Sequence, residues 1–336
     1  MTTIQAMPKV ELHVHLEGSM PPETLLSLAA KNSIPLPFTT VEEAGAWFEF
    51  RDFPHFADVY ATISRCICSA GDVELLARDF IRGQAAQNIL YSEITFTALT
   101  HYKNHGIEFL DQIDALTRAR EWAERELDVS FGVIVDVPRD WADRQQSETV
   151  ARWVAGVAGD GGGDTVVALG LGGYEVGFPP EQFLTAFEIA REAGVPVVCH
   201  AGETEGPASI RGALDLLGSI RIGHGVRCLE DEALTNRLRD EQIVLEVCPS
   251  SNVCLGVYPS MDDHPLHELV RRGLAVTINS DDPALFGTTM THELEIAVSV
   301  LGMSTDEIRE SMALAARSAL CPAARRERLV GRILAG

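Results

Sequence analysis

The sequence predicts a (β/α)8 barrel, also called a TIM barrel. Two observations carry that expectation: short apolar runs rich in β-branched residues recur eight times at fairly even spacing, and stretches of helical periodicity fill the intervals. A third supports it: titratable residues gather where the runs end, and in such a barrel the C-terminal strand ends form the active face.

The eight runs fall at 10–16, 89–97, 129–137, 165–173, 196–203, 220–225, 243–249 and 274–281. Most are near-continuous apolar stretches, as expected for parallel strands covered on both faces. "PPETLLSLAAK" opens with prolines and reads as the helix after the first strand. "PPEQFLTAFEIAREAG" starts on prolines and stops at Gly194, so both its ends are marked. "DEALTNRLRDE" and "HPLHELVRRG" continue the alternation. The stretch 37–85 exceeds one helix and reads as a helical insertion after strand 1. "AGDGGGD", 158–164, reads as a loop and not a phosphate cradle, because its glycines lack the required spacing. No repeat or linker divides the chain, so residues 1–336 are expected to form a single domain.

The 336 residues carry a formal charge of −22. That excess repels phosphate backbones and anionic membranes, so neither nucleic acid nor membrane is an expected partner. No apolar stretch reaches 18 residues, and "MTTIQAMPKVE" lacks the basic and apolar regions of a secretory signal. Seven cysteines, an odd number set partly inside apolar runs, suit reduced thiols in a cytoplasmic protein. Cys199 alternates away from His200 and reads as structural, while Arg221 and Arg227 are expected to be surface ion-pair partners.

The strand ends hold the chemistry. In "VELHVHLEGS", His13 and His15 lie two apart and share a strand face. "HAGE" brings His200 and Glu203, "GHG" brings His224, and "NSDDP" brings Asp281 and Asp282. Imidazoles from His13, His15 and His200 with the Asp281 carboxylate suit one divalent ion such as Zn2+, leaving room for water. Such an ion lowers the pKa of bound water from about 15.7 towards about 7. A two-metal site in a barrel hydrolase usually needs a bridging ligand, often a carbamylated lysine on a middle strand, and Lys9, Lys31 and Lys103 all lie outside strands 3 to 8. Glu203 reads either as a solvated loop carboxylate or as a proton donor with a raised pKa. His224 reads as a turn residue between two glycines or as a group beside a closely approaching ring. Of two adjacent carboxylates only one usually faces a given ligand, which frees Asp282 for substrate.

"MPKVELHVHLEGS", "HAGE", "RIGHG", "EVCPSSN" and "NSDDP", in this order and spacing, resemble the adenosine/AMP deaminase family of the amidohydrolase superfamily over about residues 7–320. The resemblance implies one Zn2+ per chain and hydrolytic loss of ammonia from a small-molecule 6-aminopurine. It implies His13, His15, His200 and Asp281 as ligands, Glu203 as the acid at purine N1, and His224 as the residue that orients and deprotonates the water. It further implies Asp282 at N7, the Gly173 N–H at N3, and Glu17 where relatives carry an aspartate near the ribose. "GGYEVGFPPEQF" has Tyr174 where adenosine deaminases have an acid, and is more like the aminodeoxyfutalosine and adenine deaminase branches. Gly223 stands where the adenine branch usually has aspartate, so a nucleoside, adenosine or a 5′-modified adenosine such as aminodeoxyfutalosine, is the expected substrate; adenine or an N6-substituted adenine is the alternative. The aromatic segment 47–60 reads as a lid over the 5′ side or as packing of the insertion. A hydrolase of a cyclic amide or phosphoester needs a second metal, and a catalytically dead relative would have lost a ligand or Glu203. A cytidine-deaminase-type zinc enzyme needs a P-C-x-x-C partner for His15-x-Glu17, and the sequence has none.

Overall fold

In the computed structural model, which describes residues 3–159 and 165–335, all eight expected strands form. They are β1 (Lys9–His15), β2 (Ile89–Phe96), β3 (Ser130–Pro138), β4 (Val166–Gly172), β5 (Val197–Ala201), β6 (Arg221–His224), β7 (Val244–Val247) and β8 (Ala275–Ile278). Their order in the sheet is their order in the chain, and every neighbouring pair is parallel. Helices return the chain from each strand to the next, which makes a (β/α)8 barrel. The loop expected at 158–164 lies mostly outside the described residues.

The seam between β8 and β1 closes in an unusual way. Among the described residues one backbone bridge, Val14 to Asp281, joins them. The His15 N–H donates to the Asp281 carbonyl at 2.8 Å, and the Asp281 N–H to the His13 carbonyl at 3.2 Å. Below that bridge the Asn279 side chain replaces a strand: its Oδ1 accepts the Leu12 N–H at 2.9 Å and the His13 N–H at 3.2 Å. The closing strand therefore carries β1's two histidines and Asp281 into one register.

The insertion after β1 is built from helices Val41–Trp47, Phe53–Ser64 and Ala70–Ala86. Asp52 starts the second by accepting the His55 N–H at 2.8 Å, with Pro54 in its first turn. That helix turns Phe53, Phe56 and Tyr60 towards the barrel mouth, where Phe53 stacks on Tyr174 with ring centres 4.9 Å apart. Phe50 packs against Phe56 and Phe286. The 47–60 segment is thus wall and packing at once. Among the described residues, no helix is long and apolar enough to cross a membrane.

Asn279→Ala should orphan two buried backbone N–H groups at the seam, each worth about 1–3 kcal/mol. Thermal unfolding is expected to shift to a lower midpoint, and Asn279→Asp, which keeps the acceptor but buries a carboxylate and loses the donor to Thr277, should not restore it.

Candidate metal centre and its cavity

The barrel mouth opens into a cavity of about 350 Å³. His15, His200, His224, Glu203, Asp281 and Asp282 line it from four different strand ends. His15 Nε2 lies 3.2 Å from His200 Nε2 and 3.2 Å from Asp281 Oδ1, and His13 Nε2 lies 3.3 Å from the same oxygen. Two imidazole nitrogens facing each other, beside a carboxylate and a buried His13 Nε2 without a hydrogen-bond partner, is the pattern expected of donors converging on a cation. A set of three nitrogens and one oxygen, closely spaced, fits a divalent transition metal. His224 also stands within ligand reach: the atoms of His13, His200, His224 and Asp281 lie within 4.8 Å of one another.

The backbone is strained where it delivers these groups. His224 and Asp281 adopt φ of +61° and +62°, a conformation that costs a residue with a Cβ of order 1–3 kcal/mol. Neighbouring contacts fix the side chains. His200 Nδ1 donates to the Leu171 carbonyl at 3.0 Å, which leaves Nε2 as the ligand atom. His13 Nδ1 meets Glu246 Oε2 at 3.0 Å. The other Glu246 oxygen accepts from Arg221 Nε at 2.5 Å, and Arg221 reaches across the barrel to Glu93. Arg221 is therefore not the surface partner expected from sequence; it is buried inside the barrel. A guanidinium there is required because Glu93, Glu246 and the cluster above would otherwise stack uncompensated negative charge. Arg227, in contrast, pairs with Glu230 near the surface, as expected.

Glu203 is buried at the cavity wall, and its Oε2 sits 3.8 Å from His224 Nε2. Burial, then the neighbouring carboxylates of Asp281 and Glu175, hold its carboxyl well above the usual range. Burial holds His224 down at about 4, so its ring is neutral near pH 7. Burial also raises Asp282, with His15 opposing and Asp281 adding to the shift. Gly173 takes φ of +86° on the cavity wall, and a Cβ there would strike Asp140.

Glu17 does not line the cavity. It is fully buried, and its carboxylate accepts from Tyr60 Oη at 3.1 Å, the Thr97 N–H at 3.1 Å and His101 Nε2 at 2.9 Å. Gly223 has a packing cause: a Cβ there would lie 2.8 Å from His13 Cε1 and 3.3 Å from the His200 backbone. A side chain there would require the His13 ring to shift, so packing gives Gly223 a cause that does not involve the substrate. Cys199 packs in the hydrophobic core, as expected.

Three further residues escaped sequence reading. Glu175 is buried, and its carboxylate accepts the N–H groups of Gly202, Glu203, Thr204 and Glu205 at 2.8–3.3 Å, together with the Ser209 hydroxyl. It holds the loop that presents Glu203. Arg139 donates to the His200 carbonyl at 2.5 Å from a buried position. Asp136, at the end of β3, lines the cavity with Oδ1 unpartnered, and burial raises its carboxyl to about 6. Acidic residues at strand ends were the available signal for Asp136 and Glu175; nothing local marks Arg139.

Residues 8–335 match the family model described as Adenosine deaminase. An adenine deaminase of Rhodospirillum rubrum is 37% identical over 332 residues, 99% of this chain and 97% of that protein. The crystal structure of an adenine deaminase from Arthrobacter aurescens superposes with a TM-score of 0.92 at 33% identity, covering 98% of each chain. A zinc-bound amidohydrolase from Burkholderia ambifaria shares the fold, with a TM-score of 0.88 at 23% identity over 100% of this chain and 96% of that one.

The ligand set makes a pH-dependent expectation. In metal-depleted protein, burial works against charge on His13 and His15. Contacts with Asp281 and Glu246 outweigh it at His13, raising it to about 10; Asp282 and Asp281 outweigh it at His15, raising it to about 9. Both rings therefore carry protons at pH 7 and must give them up to bind a cation. Adding Zn2+ in weak buffer at pH 7 should release about two protons per chain, a release that fades as the starting pH rises through about 9 and then about 10. Uptake at pH 7 without proton release would contradict the ligand assignment.

Proposed function

The chain belongs to the adenosine deaminase family, and from that premise we propose that its substrate is adenine, the free 6-aminopurine, rather than a nucleoside. The activity itself is hydrolytic deamination by an aminohydrolase. The observation that carries the adenine reading is the state of Glu17. The residue expected beside a ribose is fully buried behind Tyr60, engaged by three protein groups and absent from the cavity wall, so it is turned away from where a sugar hydroxyl would lie. The naming of the relatives at 37% identity points the same way.

In this reading His13, His15, His200 and Asp281 would hold one divalent cation, with zinc the ion their donor set suits. When bound, it supplies Lewis acidity that makes water a usable nucleophile near neutral pH. Attack at C6 breaks the aromaticity of the ring and drives electron density onto N1. Glu203, kept protonated by its burial, delivers its proton there. Asp282 faces N7 and the Gly173 N–H faces N3, which fixes the ring plane against the cluster. The unpartnered Oδ1 of Asp136 offers an acceptor to the ring N–H that adenine retains and an N9-substituted purine has lost. The carboxylate that Glu203 has become takes the hydroxyl proton of the adduct and passes it to the amine, so ammonia leaves C6, the oxygen from water remains as the oxo group of hypoxanthine, and the proton that the next water loses restores Glu203.

Ammonia release should be measured with adenine, 9-methyladenine, adenosine and aminodeoxyfutalosine. Adenine is expected to lead adenosine by at least roughly 100-fold in kcat/KM, because buried polar groups left unpaired penalise the wrong substrate strongly. Equal or faster turnover of a nucleoside would overturn the adenine reading and leave the deaminase assignment standing. Glu203→Gln should lower kcat by about 10²–10⁴-fold with adenine while the cation content stays unchanged.

A further inference from the structure

We propose that His264 and Asn252 form a hydrogen-bond relay that fixes His224 as its Nε2–H tautomer, so that His224 works as a donor over the reacting centre and not as the group that takes the proton from water. The relay lies below the cavity, and none of the roles above uses it.

Its direction follows from one group that can only donate. The backbone N–H of Leu266 points at His264 Nδ1, at 3.2 Å. That nitrogen must therefore be the bare acceptor, and the His264 proton sits on Nε2. His264 Nε2 lies 3.1 Å from Asn252 Oδ1, which accepts it. The amide oxygen being so engaged, Asn252 turns its Nδ2–H2 to His224 Nδ1, 3.1 Å away. A donor at Nδ1 leaves the neutral His224 ring with its proton on Nε2. Flipping the Asn252 amide does not rescue the opposite assignment: the amide N–H would then need a bare His264 Nε2, and the His264 proton on Nδ1 would collide with the Leu266 N–H.

The rest of the surroundings hold this relay in place. Asn252 is fully buried, His264 is 6% exposed and His224 1% exposed, so water has little access to re-orient the chain. The Tyr258 N–H donates to the Asn252 carbonyl at 3.1 Å, and the Tyr258 ring packs edge-on against His264 with centres 5.3 Å apart. The His264 N–H is itself held by the Met261 carbonyl at 3.1 Å. The segment Leu255–His264 thus acts as a clamp, and the proton it places at His224 Nε2 faces Glu203 Oε2 and Asp281 Oδ2, both at 3.8 Å. A donor there faces the ionised Asp281, whose oxygens can only accept, and a bare nitrogen would repel them. His264 and Asn252 are positioning residues: they reach the reaction only through His224.

This inference rests on the deaminase reading for its kinetic readout alone. The direct test is long-range ¹H–¹⁵N correlation of imidazole nitrogens in ¹⁵N-histidine-labelled, zinc-loaded protein. His224, assigned by its loss in His224→Gln, is expected to be neutral with its proton on Nε2. A proton on Nδ1 overturns the relay. Asn252→Asp places an acceptor against both rings and should transfer the His224 proton to Nδ1. With adenine it should lower kcat by about 10- to 100-fold, the usual scale for a group acting through a neighbour, with KM within about threefold. His264→Phe should lower kcat by about tenfold, again with KM nearly constant. Unchanged kcat in both variants, or a loss carried by KM, overturns it. If wild-type protein fails to turn over any aminopurine, the deaminase reading falls, while the tautomer measurement still decides the relay.

Discussion

Closing several imidazoles and carboxylates inside a barrel mouth is electrostatically costly, and the rest of the structure is arranged around that cost. Asp281 sits between His13, His15 and His224. Its register on the sheet is set by backbone bonds to β1 on the opposite side of the seam. Burying an unpaired charge costs several kcal/mol, so each ionised group in this region must meet a partner or a cation. Arg221, lying between Glu93 and Glu246, meets this demand below the cluster; the donor set at the mouth meets it above, by fitting a divalent ion. The strained φ values of His224 and Asp281 are tolerable because packing and pairing over-determine them.

A second layer then assigns each side chain its role. Glu246 orients His13, the Leu171 carbonyl orients His200, and Glu175 gathers four backbone N–H groups to hold the loop that carries Glu203. Supporting contacts of this kind fix tautomer and ring plane, and their loss typically costs about 10–100-fold in metal affinity or activity. Two further carboxylates differ in the same respect: Glu17 is engaged by Tyr60, Thr97 and His101, whereas one buried oxygen of Asp136, a residue of the cavity wall, has no hydrogen-bond partner.

Much of this was legible in the sequence because it follows simple periods. Apolar runs gave all eight strands, and the two-residue spacing of His13 and His15 placed both rings on one face. Residues at strand ends then located His200, Glu203, His224 and the Asp281–Asp282 pair, all of which the structure gathers at one mouth. What stayed hidden depends on long-range contact. Arg221 looks like any arginine at a strand start until β2 and β7 bring Glu93 and Glu246 against it. Gly223 was read as a substrate marker, yet in the fold it lies against the ring of His13, which leaves little room for a Cβ. Glu17 was placed near a ribose because relatives carry an aspartate at that point of "HLEG", and only the fold shows Tyr60 and His101 closing over it. His264 carries no local signal at all, since its meaning lies in Asn252 and through it His224.

The most direct measurement is anomalous X-ray scattering from crystals of the zinc-loaded protein, recorded on both sides of the zinc edge. One peak per chain is expected, in contact with His13, His15, His200 and Asp281. A peak held by other residues, a second peak at the mouth, or no peak from zinc-replete crystals would contradict the single-cation centre on which the proposed chemistry depends.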